Sequence, residues 1–138
     1  MAEELTLRVI TPDRIVLDTT ASSIRLPGID GSMGVLRGHA AMVAALDVGE
    51  LAYSIGGKEE AIFVSGGFAE VRGNTVRVVS EAGELPADID EERAAEAEAR
   101  ARKRLDEGRG ARSQVDILRA ELALRRARTR LRLRKSRR

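Results

Sequence analysis

Along the first part of the chain, apolar residues recur at every second position in short runs. Leu5, Leu7 and Val9 alternate with Thr6 and Arg8, and Pro12-Asp13 ends the run. Period two lines one face of a β-strand. Ile15-Val16-Leu17 and Ser23-Ile24-Arg25-Leu26 follow, closed by the turn signals Pro27-Gly28 and Asp30-Gly31. Residues 51–55, 61–65, 68–72 and 75–80 continue the series. Gly56-Gly57 closes the first of these, and Gly73-Asn74 separates the last two as a hairpin turn that favours positive φ. Short strands with turns about 8 to 12 residues apart predict a β-sandwich or barrel. A segment of residues 1–86 is long enough for an independent core of that kind.

After residue 86 the period changes to that of a helix. Asp88 or Asp90 is suited to cap a first helix, and Glu91-Glu92 suit the positive end of its dipole. Ala94, Ala97, Ala101 and Leu105 recur at helical spacing until Gly108 and Gly110 break the run. Ser113 stands three residues before Asp116, close to a capping box. Ile117, Ala120, Leu124, Ala127 and Leu131 then form the seam of a second helix, and the short connection makes the pair antiparallel. The fold class is thus α+β, with a β-sandwich domain over 1–86 and a helical hairpin over 87–138. A seam this rich in alanine buries little area, so the hairpin is expected to be weakly held.

Charge divides at the same place. The chain of 138 residues has a net charge of only +2. Residues 1–86 hold seven basic and twelve acidic side chains, a net of −5, and residues 87–138 hold seventeen and ten, a net of +7. Two units with different partners are expected. Composition excludes several functions. No cysteine is present, so disulfides, thiolate metal sites and cysteine nucleophiles are ruled out. His39 is the only histidine, with no activated nucleophile or obvious carboxylate pair beside it, so neither a catalytic centre nor a metal centre is expected. One tyrosine, two phenylalanines and no tryptophan leave no stacking platform for nucleic acid, and the acidic first unit would repel phosphate. The N-terminus carries Glu3 and Glu4 rather than an apolar run, and the longest mostly apolar stretch, 40–46, falls far short of the ~20 residues a spanning helix needs.

Several segments resemble the ε subunit of F-type ATP synthases. Gly31-Ser32-Met33-Gly34-Val35-Leu36-Arg37-Gly38-His39-Ala40 is similar to a glycine-rich loop of that family, although Ser32 stands where many members have an acid and Arg37 where proline is usual. Val64-Ser65-Gly66-Gly67-Phe68-Ala69-Glu70-Val71 resembles a second signature, and Ile89-Asp90-Glu91-Glu92-Arg93-Ala94 and Arg119-Ala120-Glu121-Leu122-Ala123-Leu124 resemble the two helical ones. The resemblance runs from about Leu5 to Leu131. It implies a sandwich of about ten strands and a two-helix C-terminal domain. It also implies a non-catalytic rotor subunit of the central stalk, bound to the γ subunit and the c-ring. The hairpin would extend toward the catalytic α and β subunits and inhibit ATP hydrolysis. No cofactor is implied as required, and contact with the membrane would be through the complex alone, at the cytoplasmic face of a bacterial plasma membrane.

The resemblance also implies site residues. Ser32 and His39 fall at the rotor interface. ATP, as a regulatory ligand, would be held by Glu84, Ile89, Asp90, Arg93, Ala94, Arg100, Arg126 and Arg130. From spacing alone, Arg93 and Arg100 share one face of the first helix, and Arg119, Arg126 and Arg130 share one of the second. If those faces meet, the guanidinium groups repel one another unless an anion bridges them. The alternative is a solvated helix with ordinary pairs such as Glu96–Arg100 and Glu121–Arg125. The last nine residues hold six basic side chains. Arg132, Arg134 and Lys135 among them would probe acidic surfaces of the catalytic head, or the segment is a disordered solubilising tail.

Overall fold

In the computed structural model, residues 4–108 and 114–136 are described. The chain divides between Leu85 and Pro86 into two compact units.

The first unit holds ten strands: β1 (Leu5–Ile10), β2 (Ile15–Ala21), β3 (Ser23–Gly28), β4 (Gly31–Val35), β5 (Met42–Ala45), β6 (Val48–Ile55), β7 (Lys58–Ser65), β8 (Phe68–Arg72), β9 (Thr75–Val79) and β10 (Ala82–Glu84). They form two five-stranded sheets, ordered β2-β1-β9-β8-β5 and β10-β7-β6-β3-β4. Leu5, Leu7, Val9, Val76 and Val78 from the first sheet and Ile24, Leu26, Leu51, Ile62 and Val64 from the second are buried together in one core. The period-two alternation places them there, since every second side chain faces the opposite sheet.

Turn chemistry follows the sequence. At Gly73 φ is 55° and at Asn74 it is 63°, the conformation of a tight β8–β9 hairpin. Gly67 has φ of 87°, and a Cβ there would lie 1.9 Å from the Val79 carbonyl oxygen, so no other residue fits. The Ser65-Gly66-Gly67 element is therefore structural. A buried hydroxyl completes this corner. Ser80 Oγ accepts from the Ser65 amide at 3.0 Å and donates to the Ala82 carbonyl at 2.9 Å, joining β7 to the segment that leads into β10.

Alternation alone leaves out β4, β5 and β10. Gly-Ser-Met-Gly-Val, Met-Val-Ala-Ala and Ala-Gly-Glu are short or poor in β-branched and aromatic residues. Pairing supplies what propensity lacks. Each of the three is an edge strand laddered to a stronger neighbour: β4 to β3, β5 to β8 and β10 to β7.

The second unit begins with a 3-10 turn, Pro86–Asp88, followed by α1 (Glu91–Gly108) and α2 (Gln114–Ser136). Asp90, rather than Asp88, caps α1: its Oδ1 accepts from the Arg93 amide at 3.1 Å, and its carbonyl accepts from the Ala94 amide at 3.0 Å. The breaker Gly110 and the proposed cap Ser113 lie outside the described residues. The helices pack along the expected seam. Ala94, Ala101, Ala120 and Ala127 are buried, with Ala97, Leu105, Ile117, Leu124 and Leu131 half-buried beside them. α2 continues past Leu131 to Ser136, so residues 130–136 are helix and not a disordered tail. Leucine and arginine are both good helix formers, and Arg134 and Lys135 complement the negative dipole end.

Ser80→Ala removes an acceptor from the buried Ser65 amide. We expect it to destabilise the sandwich by about 1–3 kcal/mol. Urea unfolding followed by circular dichroism checks this.

Candidate functional site

The hairpin and the sandwich each carry a candidate site. In the hairpin the question is which flank of each helix carries the arginines. An α-helix turns about 100° per residue, so positions around the seam are fixed by their offsets from Ala94, Ala101, Ala120 and Ala127. On that wheel Glu98 lies on one flank of α1, and Arg93 and Arg100 lie on the other. Likewise Arg128 lies on one flank of α2, and Arg126 and Arg130 lie on the other. Arg128 Nε meets Glu98 Oε2 at 3.4 Å across the hairpin. That ion pair puts the Glu98 flank and the Arg128 flank on the same side. The opposite side therefore brings Arg93, Arg100, Arg126 and Arg130 onto one flank.

Arg126 and Arg130 are half-buried, while Arg93 and Arg100 are exposed. The guanidinium groups of Arg93, Arg100 and Arg126 make no ion pair among the described residues, so the simple Glu96–Arg100 pair is not formed. Arg104, one turn after Arg100, shares the flank. Its i,i+4 spacing was visible in sequence, and only the hairpin geometry gives it significance. Asp90 is engaged as the cap of α1. Ile89 is 3% exposed, and its amide donates to the Pro86 carbonyl at 3.3 Å. Ala94 lies in the seam. Glu84 belongs to β10 in the sandwich unit. Of the tail residues, Arg132 and Lys135 are exposed, whereas Arg134 is half-buried and bonded within the hairpin unit.

The sandwich places Ser32 exposed on β4 and His39 half-buried in the loop that follows it. His39 Nδ1 lies 2.8 Å from the Ala40 carbonyl oxygen, a bond that requires the proton on Nδ1. The His39 amide donates to the Leu36 carbonyl at 3.1 Å, so the residue shapes its own loop. Asn74 holds the loop from the β8–β9 turn, its Oδ1 accepting from the Gly38 amide at 2.8 Å. The tip carries Leu36, 64% exposed.

A band on the outer face of the first sheet escaped the sequence. Cross-strand register joins Ala45 to Phe68, Phe68 to Val79, Val79 to Ile10 and Ile10 to Ile15. Ile29 extends the band, its amide donating to the Ala45 carbonyl at 3.0 Å. Ile29, Ile15 and Phe68 are 61%, 57% and 39% exposed. A next row holds Glu70, Arg77, Arg8 and Asp18, in which Arg8 Nε meets Asp18 Oδ2 at 3.3 Å. An apolar strip crossing five strands under a charged row has the make-up of a docking surface. Only register reveals it, because its members are far apart in sequence.

Among the described residues no group of three or more acidic or histidine side chains is placed to hold a metal. No described helix is long and apolar enough to cross a membrane.

Known proteins match both units. The ATP synthase Delta/Epsilon chain beta-sandwich domain matches residues 4–86, and the long alpha-helix domain of the same chain matches residues 87–135. An ATP synthase epsilon chain from Nitratidesulfovibrio vulgaris is 42% identical over 97% of this chain and 98% of its own length. One from Symbiobacterium thermophilum is 46% identical over 94% and 91%. A chain in a cryo-EM structure of the Euglena gracilis mitochondrial ATP synthase superposes with a TM-score of 0.76 at 27% identity, covering 91% of this chain and 78% of that one. A chain from the central stalk and c-ring of the Tetrahymena thermophila enzyme shares the fold, with a TM-score of 0.62 at 13% identity over 96% and 97%. With both domains matched in order and relatives aligned along nearly its whole length, the chain belongs to the ATP synthase delta/epsilon chain family, as a non-catalytic subunit of the central stalk.

Proposed function

We propose that this subunit couples the rotor to the catalytic head in ATP synthesis and restrains ATP hydrolysis through its cationic hairpin. The observation that carries the regulatory part is the flank of arginines opposite the Glu98–Arg128 bridge. Guanidinium groups gathered on one side of two helices repel one another, and an anion with several oxygens relieves that repulsion. The triphosphate of ATP has the charge and the acceptors to do so. Arg93 and Arg100 would bind it from α1, and Arg126 and Arg130 from α2. Asp90 keeps the first turn of α1 in place, Ile89 is buried just before it, Ala94 lies in the seam, and Glu84 stands on the last strand of the sandwich before the hairpin. With nucleotide bound, the compact hairpin is favoured. Without it, the hairpin extends toward the α and β subunits, where Arg132, Arg134 and Lys135 meet acidic surfaces.

The sandwich stays on the rotor. The apolar band through Phe68 docks on the γ subunit, and the loop bearing Leu36 and His39, with Ser32 on the preceding strand, faces the c-ring. The protein then sits on the cytoplasmic face of a bacterial plasma membrane, held there by the complex.

Two measurements test these assignments. Calorimetry with ATP should give saturable heat for the intact chain and at least tenfold weaker binding for Arg126→Ala, since a hydrogen bond to a charged group contributes about 1.5–3 kcal/mol. No heat at millimolar ATP would remove the nucleotide from the account. Phe68→Asp, which puts a charge in the centre of the band, should weaken capture by γ by tenfold or more while the isolated chain keeps its fold. Unchanged capture would move the γ interface elsewhere.

A further inference from the structure

The buried Nε of Arg134 has no hydrogen-bond partner among the described residues. A buried guanidinium nitrogen without an acceptor is unfavourable and calls for a reason. Another part of the side chain is engaged. One terminal nitrogen donates to the Ala87 carbonyl at 3.3 Å and lies 3.5 Å from the Pro86 carbonyl. Those two carbonyls belong to the first residues of the hairpin unit, directly after the chain leaves the sandwich. The loop joining α1 to α2 ties one end of the hairpin covalently. Arg134 ties the other, holding the last turns of α2 to the turn that precedes α1. Between the two ends lies a seam of buried alanines and half-buried leucines, bridged by the Glu98–Arg128 pair.

The grip is of a particular kind. Both acceptors are neutral carbonyls, and a third donor goes unmet. A carboxylate would serve the same guanidinium better, because it accepts two parallel N–H bonds and carries the opposite charge. Arg134 is thus held well enough to close the hairpin and poorly enough to be taken by an acid.

We propose that Arg134 is a latch on the hairpin: it fastens α2 to the Pro86–Asp88 turn when the hairpin is closed, and exchanges those carbonyls for a carboxylate of an acidic protein segment when α2 leaves. The exchange step rests on the movable hairpin proposed above; the latch itself does not.

The chain has no cysteine, so a single dye pair is easily placed, at Glu92→Cys and Ser136→Cys. Energy transfer in the full chain then reports the open fraction of the hairpin. Arg134→Ala should raise that fraction about tenfold, the equivalent of losing one charge-assisted hydrogen bond. Arg134→Lys, which keeps a donor, should recover part of the loss. Arg125→Ala removes the same charge from an exposed position of α2 and should leave energy transfer unchanged. Should Arg134→Ala cost helicity by circular dichroism, the comparison of Arg134→Lys with Arg125→Ala carries the test. Equal energy transfer in the parent and Arg134→Ala, or an equal response to Arg125→Ala, would overturn the latch. Poly-glutamate should lower energy transfer in the parent and not in Arg134→Ala, and an equal response in both would overturn the exchange. If Arg134→Ala opens the hairpin of the free full chain yet leaves hydrolysis by the assembled enzyme unchanged, the latch stands and the regulatory role of the hairpin falls.

Discussion

Two helices that meet along a seam of buried alanines and half-buried leucines set the terms for the rest of this molecule. Ala94, Ala101, Ala120 and Ala127 bury little apolar area, at roughly 25 cal/mol per Å². Under the proposed function, charge at the flanks and end of this seam tips the hairpin between its closed and extended forms. On one flank, Glu98 and Arg128 hold it. On the other lie Arg93, Arg100, Arg126 and Arg130, proposed above to share an anion, with Arg104 one turn along from Arg100. Arg134 fastens the end with neutral acceptors only. A hairpin built on leucine in every seam position would be more stable and indifferent to all three.

The sandwich follows the opposite rule. Its core is assembled from fully buried leucine, isoleucine and valine on both sheets, and its corners are locked by groups that tolerate no change, such as Gly67 against the Val79 carbonyl. That rigidity suits a part meant to hold its place on a turning shaft. What it exposes is correspondingly organised: an apolar band from Ile29 to Ile15 across one sheet, and a loop pinned by Asn74. The net charge, −5 on the sandwich and +7 on the hairpin, divides at the same boundary.

Much of the fold was legible in the sequence because its main forces are local. Period two in 5–9 and 75–79 marks strands, and the spacing of Ala94, Ala97 and Ala101 marks a helix. The three strands that propensity missed are edges, and an edge strand is stabilised by a partner that sequence periodicity does not name. The reach of α2 to Ser136 was hidden by its density of arginines, which reads as solvated tail until packing shows otherwise. The candidate sites were legible in part. The spacing of Arg93 with Arg100 and of Arg126 with Arg130 was plain, but the side on which they meet needed the Glu98–Arg128 pair. The band through Phe68 and the hold of Arg134 on Pro86 and Ala87 depend on residues far apart in the chain, and no local pattern encodes them.

The central claim is that the cationic hairpin restrains hydrolysis while the sandwich suffices for coupling. It is tested most directly by ATP hydrolysis and proton pumping of the assembled enzyme, containing either the whole chain or a chain ending at Pro86. The account predicts faster hydrolysis with the shortened chain and pumping retained. Equal hydrolysis rates with the two chains would contradict it.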